Sequence, residues 1–485
     1  MNSAAKTKKK VKNRLKSNII KGTLILSCAS ILSRIIGFIY RIYLADILGE
    51  QLLGTYQLIF PIYVLCFTIY GAGMQSAISQ VVATLMGINN THPQDSNFKD
   101  NTSKYSSSSS AVSKNNNNSS LVKGNYPFVS SSARNITPRT ILLAGTILSF
   151  ILALFLCIFI NFNSKWIACN ILMVPDCDIY LKLLTYLFPF CSISACICGY
   201  QYGLENAKPP AIAGIIEQIT RILFVFIVQG FFSDKEICCQ IAVYGLTVGE
   251  FFGFLYNMST IKNKTFNKRK NKISLKESFK LLLPVFISLT SIKLTISLLH
   301  SVESIFIPAS LVKYGYTMNE ALSVYGIYSG MAMPFIMFPA TITMAISTML
   351  LPAVSKAHSS GNKKQIKKLI RRTSYFCLVT GMAATVFFLL FGNICASLFF
   401  HNELAGRYLT VMSFLCPFLY LNMTYSSILN GLGKPHMTFV ITVVCTLIKI
   451  LSLIFFVPKY GMIAYIAASL VAESLLCVML RHYCR

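Results

Sequence analysis

The sequence predicts an all-α, polytopic membrane protein of twelve transmembrane helices, arranged as two six-helix lobes related by an internal repeat. Three observations predict it. The chain of 485 residues is 54% hydrophobic and only 12% charged, with a mean hydropathy of +0.60, whereas charged residues make up about a quarter of an ordinary soluble domain. Its apolar stretches are long enough to cross a bilayer and lack the polar stripe of a soluble helix; 325–357 stays apolar all round despite Pro334, Pro339 and Pro352. Motifs also recur at a steady offset. Ala345-Ile346-Ser347 repeats Ala77-Ile78-Ser79 at a shift of 268, and Tyr325 answers Tyr56 at 269.

Taken in order, residues 1–18 form a basic tail that leads directly into the first span at Ile19. The apolar run continues past Arg34 to about residue 45 without a small-residue cleavage site, so it reads as a retained helix and not a secretion signal. The second span covers 52–86 and contains Pro61, where a kink is expected. From 87 to 138 the composition turns to low complexity (TSKYSSSSSAVSKNNNNSS). Such a segment cannot bury enough apolar surface to offset its ordering entropy, which predicts a disordered loop. Ten further spans fall at about 140–162, 179–203, 209–231, 238–262, 278–307, 322–357, 371–392, 405–430, 436–458 and 461–481. The expected organisation is a tail (1–18), an N-lobe (19–261), a Lys/Asn-rich connector (262–277) and a C-lobe (278–485).

The repeat extends into the later spans. Pro189-Phe190 returns as Pro417-Phe418 and Gly203-Leu204 as Gly431-Leu432, both at a shift of 228, and each is soon followed by Lys-Pro (Lys208-Pro209, Lys434-Pro435). The fall from 268 to 228 is absorbed by the Ser/Asn-rich loop of the first half. Six spans followed by six in the same register predict lobes related by an axis along the membrane normal.

A net charge of +28 raises nucleic acid as a partner, but the location of the charge argues for a membrane instead. With the N-terminus in the cytosol, the cytosolic segments hold 33 of the 44 Lys and Arg, the external segments hold six, and five lie within spans. That asymmetry predicts a multi-pass cell-membrane protein with both termini cytosolic and no nucleic-acid partner. The sixteen Cys lie mostly inside apolar spans, without a paired C-x-x-C or Cys/His spacing. They read as small buried hydrophobes, and neither metal nor cofactor is expected. No phosphate-gripping loop, HExxH or Ser/His/Asp spacing points to catalysis, and the short external loops leave no room for a catalytic domain, so no enzyme is expected.

Charges inside the spans carry the functional signal, because each costs about 2.5–3.5 kcal/mol at the bilayer centre. They are Arg34 and Arg41 in the first span, Glu217 and Arg221 in the fifth, and Glu250 in the sixth. Lys293, His300 and Glu303 lie in the seventh, Lys449 in the eleventh and Glu473 in the twelfth. Arg221 and Lys449 are repeat-equivalent at a shift of 228, and Glu250 and Glu473 occupy similar depths in the last helix of each lobe. One reading is therefore structural, with ion pairs Arg221–Glu250 and Lys449–Glu473 inside the lobes; Glu217 with Arg221 at i, i+4 is a further local pair. The first and seventh spans differ. A shift of 269 sets Arg34 opposite Glu303, and Lys293 answers Leu24. Arg34 either pairs with Glu303 to latch the lobes or joins Lys293 and Arg41 as an unpaired cation that neutralises a phosphate or pyrophosphate. His300 reads as a packing residue, with a proton relay as its alternative.

Several segments together resemble the stage V sporulation protein B family. They are Ser33-Arg34-Ile35-Ile36-Gly37-Phe38-Ile39-Tyr40-Arg41, Leu48-Gly49-Glu50 with Gly54, Ile307-Pro308-Ala309-Ser310-Leu311, Tyr325-Gly326 through Phe338-Pro339, and Leu351-Pro352-Ala353-Val354-Ser355. The resemblance spans nearly the whole chain outside the Ser/Asn-rich loop. That family belongs to the multidrug/oligosaccharidyl-lipid/polysaccharide exporter superfamily, so the resemblance implies a MATE-like fold and export of a lipid-linked precursor of spore-cortex peptidoglycan or polysaccharide. The Ser-Arg-x-x-Gly segment is shared with lipid II flippases, which implies a substrate-facing role for Arg34. The second arginine, Arg41, falls one residue later than in those flippases. Ala309 stands where the family often has a basic residue. The first span offers only Asp46, at its outer end, as a carboxylate of the kind drug antiporters use.

The expectation is a flippase working by alternating access, with a cavity between the first, second, seventh and eighth spans. Arg34, Arg41, Lys293 and Glu303 would meet the headgroup; Glu217, Arg221, Glu250, Lys449 and Glu473 would serve structure or coupling; Pro61, Pro334 and Pro339 would be gating bends. Expected partners are the lipid-linked glycan precursor, membrane lipid and cell-wall synthesis enzymes. A multidrug or cation antiporter and a non-transporting scaffold for cell-wall synthesis are the alternatives.

Overall fold

Gly49 is the break that separates the first two spans. A helix runs from Asn2 to Phe67 and departs from helical geometry only at this glycine, with φ of 71° and ψ of −178°. Left straight, its 66 residues would extend about 99 Å at 1.5 Å each, several times the roughly 30 Å hydrocarbon core. Glycine takes the positive φ without a Cβ clash, and the chain turns there. The computed structural model describes residues 2–91, 136–261 and 275–484, with side chains described from residue 31 and, in the second helix, to residue 86. The backbone is helical from Asn2, so the basic tail extends the first helix. Most of the 87–138 loop and of the 262–277 connector lies outside the described residues.

The described residues form helices and no strands. In chain order these are α1 (2–48), α2 (50–91), α3 (Pro138–Trp166), α4 (Cys177–Thr185 and Phe188–Gly203, bent by 47°), α5 (Lys208–Gln229) and α6 (Lys235–Ile261). The second set is α7 (Leu275–Tyr314), α8 (Met318–Ser359), α9 (Lys363–Phe400), α10 (Glu403–Gly431), α11 (Pro435–Phe455) and α12 (Met462–Tyr483). Ten uninterrupted stretches are long and apolar enough to cross a membrane, or eleven with the bent α4. Dividing the first of them at Gly49 gives the expected twelve. Local chemistry fixes several starts. Thr137 and Thr317 close capping boxes with Thr140 and Glu320, and Asn362 and Asn402 cap α9 and α10 by accepting from Gln365 and Ala405 backbone amides.

Lipid-facing positions such as Phe155, Leu390 and Val478 remain about two-thirds exposed, while hydroxyls and amides point inward, the reverse of a soluble bundle. The halves meet through small residues. A Cβ at Gly54 would lie 2.0 Å from the Leu322 carbonyl oxygen, and one at Gly326 would lie 2.2 Å from that of Glu50, so the α2 and α8 backbones touch far from the N-terminal face. Asn402 donates to Glu50 at the same end. Toward the N-terminal face α2 instead meets α7, where a Cβ on Gly73 would strike Thr290 Oγ1 at 1.9 Å. α7 straddles the halves: Leu282 and Phe286 pack with α2, α3 and α4, while Ile305 and Leu311 join the larger core beside α8.

Two helix irregularities lie near the prolines named as gating bends. α2 passes Pro61 as α-helix and changes to a π-turn at Thr68–Ala72; α8 does so at Ile327–Ala332, with Pro334 two residues beyond and Pro339 inside regular helix. π-turns, at different depths in the two repeats, are the helix irregularities closest to these prolines.

Candidate functional site

The ten ionisable groups within spans sort into three environments. In the second half, one cation is clamped between acids. Lys449 Nζ on α11 donates to Glu473 Oε1 on α12 at 2.7 Å and lies 3.9 Å from Glu303 Oε1 on α7. Tyr465 Oη donates to Glu303 Oε1 at 2.8 Å, His300 Nδ1 lies 3.0 Å from Glu303 Oε2, and Asn422 Nδ2 donates to Glu473 Oε2 at 2.8 Å. Glu303 and Glu473 are both buried, and their lone pairs are well occupied. This network draws on α7, α10, α11 and α12, so it fastens α7 to its own half. Glu303 therefore does not latch onto Arg34, contrary to one of the two expectations.

The first half is built differently. Arg221 pairs with Glu217, one turn away on α5, and among the described residues it forms no ion pair with Glu250. The repeat register explains why. At a shift of 228, Glu473 corresponds to Gly245, not to Glu250. Gly245 does face the cation, since a Cβ there would lie 3.5 Å from Arg221 Cγ. The acid that would complete the second bridge is thus displaced by five residues along α6, about 7.5 Å and 140° around the axis. Gly249 brings α6 against Glu217, with a Cβ there 2.7 Å from the Glu217 carbonyl oxygen. Arg221 takes the acid its own helix offers, and its Nε is left without a partner among the described residues.

The third environment is the seam between the halves. Arg34, Phe38 and Arg41 recur at i, i+4, i+7 and share one face of α1. Phe38 packs on Phe335 and Phe338 of α8, with ring centroids 4.7 Å apart in both pairs. In the chain the two arginines stand on either side of Phe38, four residues before it and three after. Both arginines are exposed, and neither has a hydrogen bond or ion pair among the described residues. On the other seam, Lys293 Nζ donates to the Ala72 carbonyl at 2.8 Å and to Ser76 Oγ at 2.5 Å. It is thus held by neutral oxygens of α2 and is not spare in this conformation, while still facing no acid.

Sequence reasoning missed the polar row that carries Lys293. Ser297 Oγ and Thr68 Oγ1 are 3.0 Å apart, and Ser301 Oγ donates to the Pro61 carbonyl at 2.9 Å. Thr290, Lys293, Ser297 and Ser301 recur at helical spacing on α7, and that periodicity in an apolar span is the signal that would have found them.

Comparison with known proteins agrees with this architecture. Residues 19–109 and 127–358 match the polysaccharide biosynthesis protein family, and residues 299–454 match the MatE family. Stage V sporulation protein B of Bacillus subtilis is 24% identical over 477 residues, spanning 96% of this chain and 83% of that protein. The lipid II flippase MurJ of the same bacterium is 22% identical over 461 residues, 90% of this chain and 77% of that one. An inward-facing multidrug resistance MATE family transporter of the MOP superfamily superposes with a TM-score of 0.68 at 14% identity, covering 95% of this chain and 98% of that one. The outward-facing conformation gives 0.65 at the same identity, covering 96% and 94%. The fold is MATE-like.

Proposed function

Because the chain belongs to the polysaccharide biosynthesis protein family, we propose that it is a membrane flippase for an anionic, lipid-linked glycan precursor. The observation that carries this reading is the seam. Among the described residues Arg34, Arg41 and Lys293 form no ion pair with an acid, and all three lie on helices where the two halves meet. An unpaired cation at mid-membrane is expensive, and a pyrophosphate supplies what it lacks: several anionic oxygens in the fork geometry a guanidinium matches. The headgroup would sit between α1, α2, α7 and α8 while the polyprenyl chain stays in lipid. Both termini would be cytosolic, so loading occurs from the N-terminal face, and the α2–α8 glycine crossing closes the outer side. The π-turns of α2 and α8, with the neighbouring prolines, would be the bending points of alternating access. Glu303 would support α7 rather than touch the cargo, since its oxygens are already engaged by Lys449, His300 and Tyr465. Similarity to a lipid II flippase and to a sporulation protein supports a peptidoglycan precursor as the cargo, with that of the spore cortex as one candidate.

Purified protein in vesicles carrying a fluorescent polyprenyl-pyrophosphate-linked peptidoglycan precursor tests this. The expected result is protein-dependent transfer between leaflets, at least tenfold above empty vesicles, with no counter-transport of small organic cations. Cation exchange without lipid transfer would favour an antiporter instead, and neither activity would favour the scaffold.

A further inference from the structure

Lys293 and Lys449, each well inside its helix, are held in opposite ways. Lys449 sits against two carboxylates, whereas the partners of Lys293 among the described residues are a backbone carbonyl and a serine hydroxyl. The charge of Lys449 is already neutralised by carboxylates, whereas Lys293 rests on neutral oxygens that leave its charge uncompensated, so it is the ammonium an arriving anion can take. The local backbone is shaped for this. At the Thr68–Ala72 π-turn the Gly73 amide reaches back to Thr68, and the Ala72 carbonyl accepts from Ser76 Oγ at 3.1 Å as well as from Lys293. Lys293, Ser76 and Ala72 therefore close a small ring of hydrogen bonds. It uses two of the three ammonium protons and lies between α2 and α7, the helices of opposite halves.

We propose that Ser76 is a positioning residue that parks Lys293 on α2 when no cargo is bound, and that a pyrophosphate headgroup draws the ammonium away and so loosens the α2–α7 seam. This rests on the flippase reading and adds a coupling step to it. Once the ammonium leaves, the α2–α7 seam loses this charged contact and keeps the Thr68–Ser297 hydroxyl pair, the Gly73–Thr290 crossing and the apolar packing of Leu282 and Phe286. Loading of the headgroup and movement of α2 against α7 then become one event, since the same cation cannot serve both.

The test measures binding of farnesyl pyrophosphate to protein in lipid nanodiscs, together with the distance between spin labels at Thr84 on α2 and Lys276 on α7. Ser76→Ala removes one parking bond and should tighten binding about fivefold, while Ser76→Thr, which keeps the hydroxyl, should restore the native affinity. The label distance in otherwise native protein should lengthen on adding farnesyl pyrophosphate and not on adding farnesol. A residue that merely supported the fold would weaken binding or leave it alone when truncated. Unchanged or weaker binding by a folded Ser76→Ala, or a label distance indifferent to the pyrophosphate while binding is intact, overturns the parking proposal and leaves the flippase reading standing. If Ser76→Ala does not fold, the label distance alone decides. Absence of any pyrophosphate binding by the native protein overturns both.

Discussion

Arg34→Ala is expected to lower lipid transfer by at least about thirtyfold while the protein stays inserted and folded. The magnitude follows from removing one member of a desolvated, hydrogen-bonded charge pair, which costs about 2 kcal/mol or more, and each 1.4 kcal/mol is tenfold. Its selectivity follows from the geometry. Arg34 is exposed on the α1 face that packs on α8, and it has no hydrogen bond or ion pair among the described residues, so none is lost with it. Stability and function should therefore separate. The melting temperature in detergent should move by no more than a degree or two, because exposed substitutions without partners typically lie within about 0.5 kcal/mol. Arg34→Lys keeps the charge but not the planar fork, and should retain part of the activity. Measuring transfer rate and melting temperature on one preparation checks the claim; a folded Arg34→Ala with full transfer removes Arg34 from the site.

The opposite pattern is expected at Lys449. Replacing it with methionine strands Glu303 and Glu473, both buried, around a side chain that can neutralise neither. Breaking a buried pair by deleting one partner costs about 3–5 kcal/mol, which for most folded proteins is a large share of the total. The variant should express poorly or melt well below the native protein. Because the penalty comes from unpaired acids and not from lost packing, the triple variant Lys449→Met/Glu473→Gln/Glu303→Gln should recover most of the stability, a non-additivity that neighbouring residues in one network show. Arg221→Met should cost less, since its partner Glu217 is about a quarter exposed and partly exposed pairs are screened by solvent. Equal losses at Lys449 and Arg221 would mean that the two halves carry their charges alike, against the geometry described here.

The contrast between these sites shows how far the repeat could be read. Span positions, the shift of 228 and the pairing of Lys449 with Glu473 were legible, because hydropathy and a shared register are properties of the sequence itself. Arg221 looked like its twin, yet Glu250 is offset by five residues from the position that faces it, and similar depth in a helix says nothing about which side of the axis a residue occupies. Gly245 was the informative residue: small, and at the true equivalent of Glu473. Glu303 was placed opposite Arg34 by alignment alone; its carboxylate is instead drawn to Lys449 and Tyr465, partners from α11 and α12 that a repeat between α1 and α7 cannot reveal. Lys293 was recognised as having no acid, but its neutral partners lie in a π-turn, a backbone feature without a strong sequence signature.

The central claim is that cations at the junction of two six-helix halves hold the anionic headgroup of a lipid. Its most direct test is the affinity of the purified protein for polyprenyl pyrophosphate, set against the uncharged polyprenol of the same chain length. The pyrophosphate should bind at least about a hundredfold more tightly, a difference of some 2.7 kcal/mol, and most of this preference should be lost in an Arg34→Gln/Arg41→Gln protein that melts like the native one. Equal affinity for the two lipids, or a preference that survives the loss of both arginines, would contradict it.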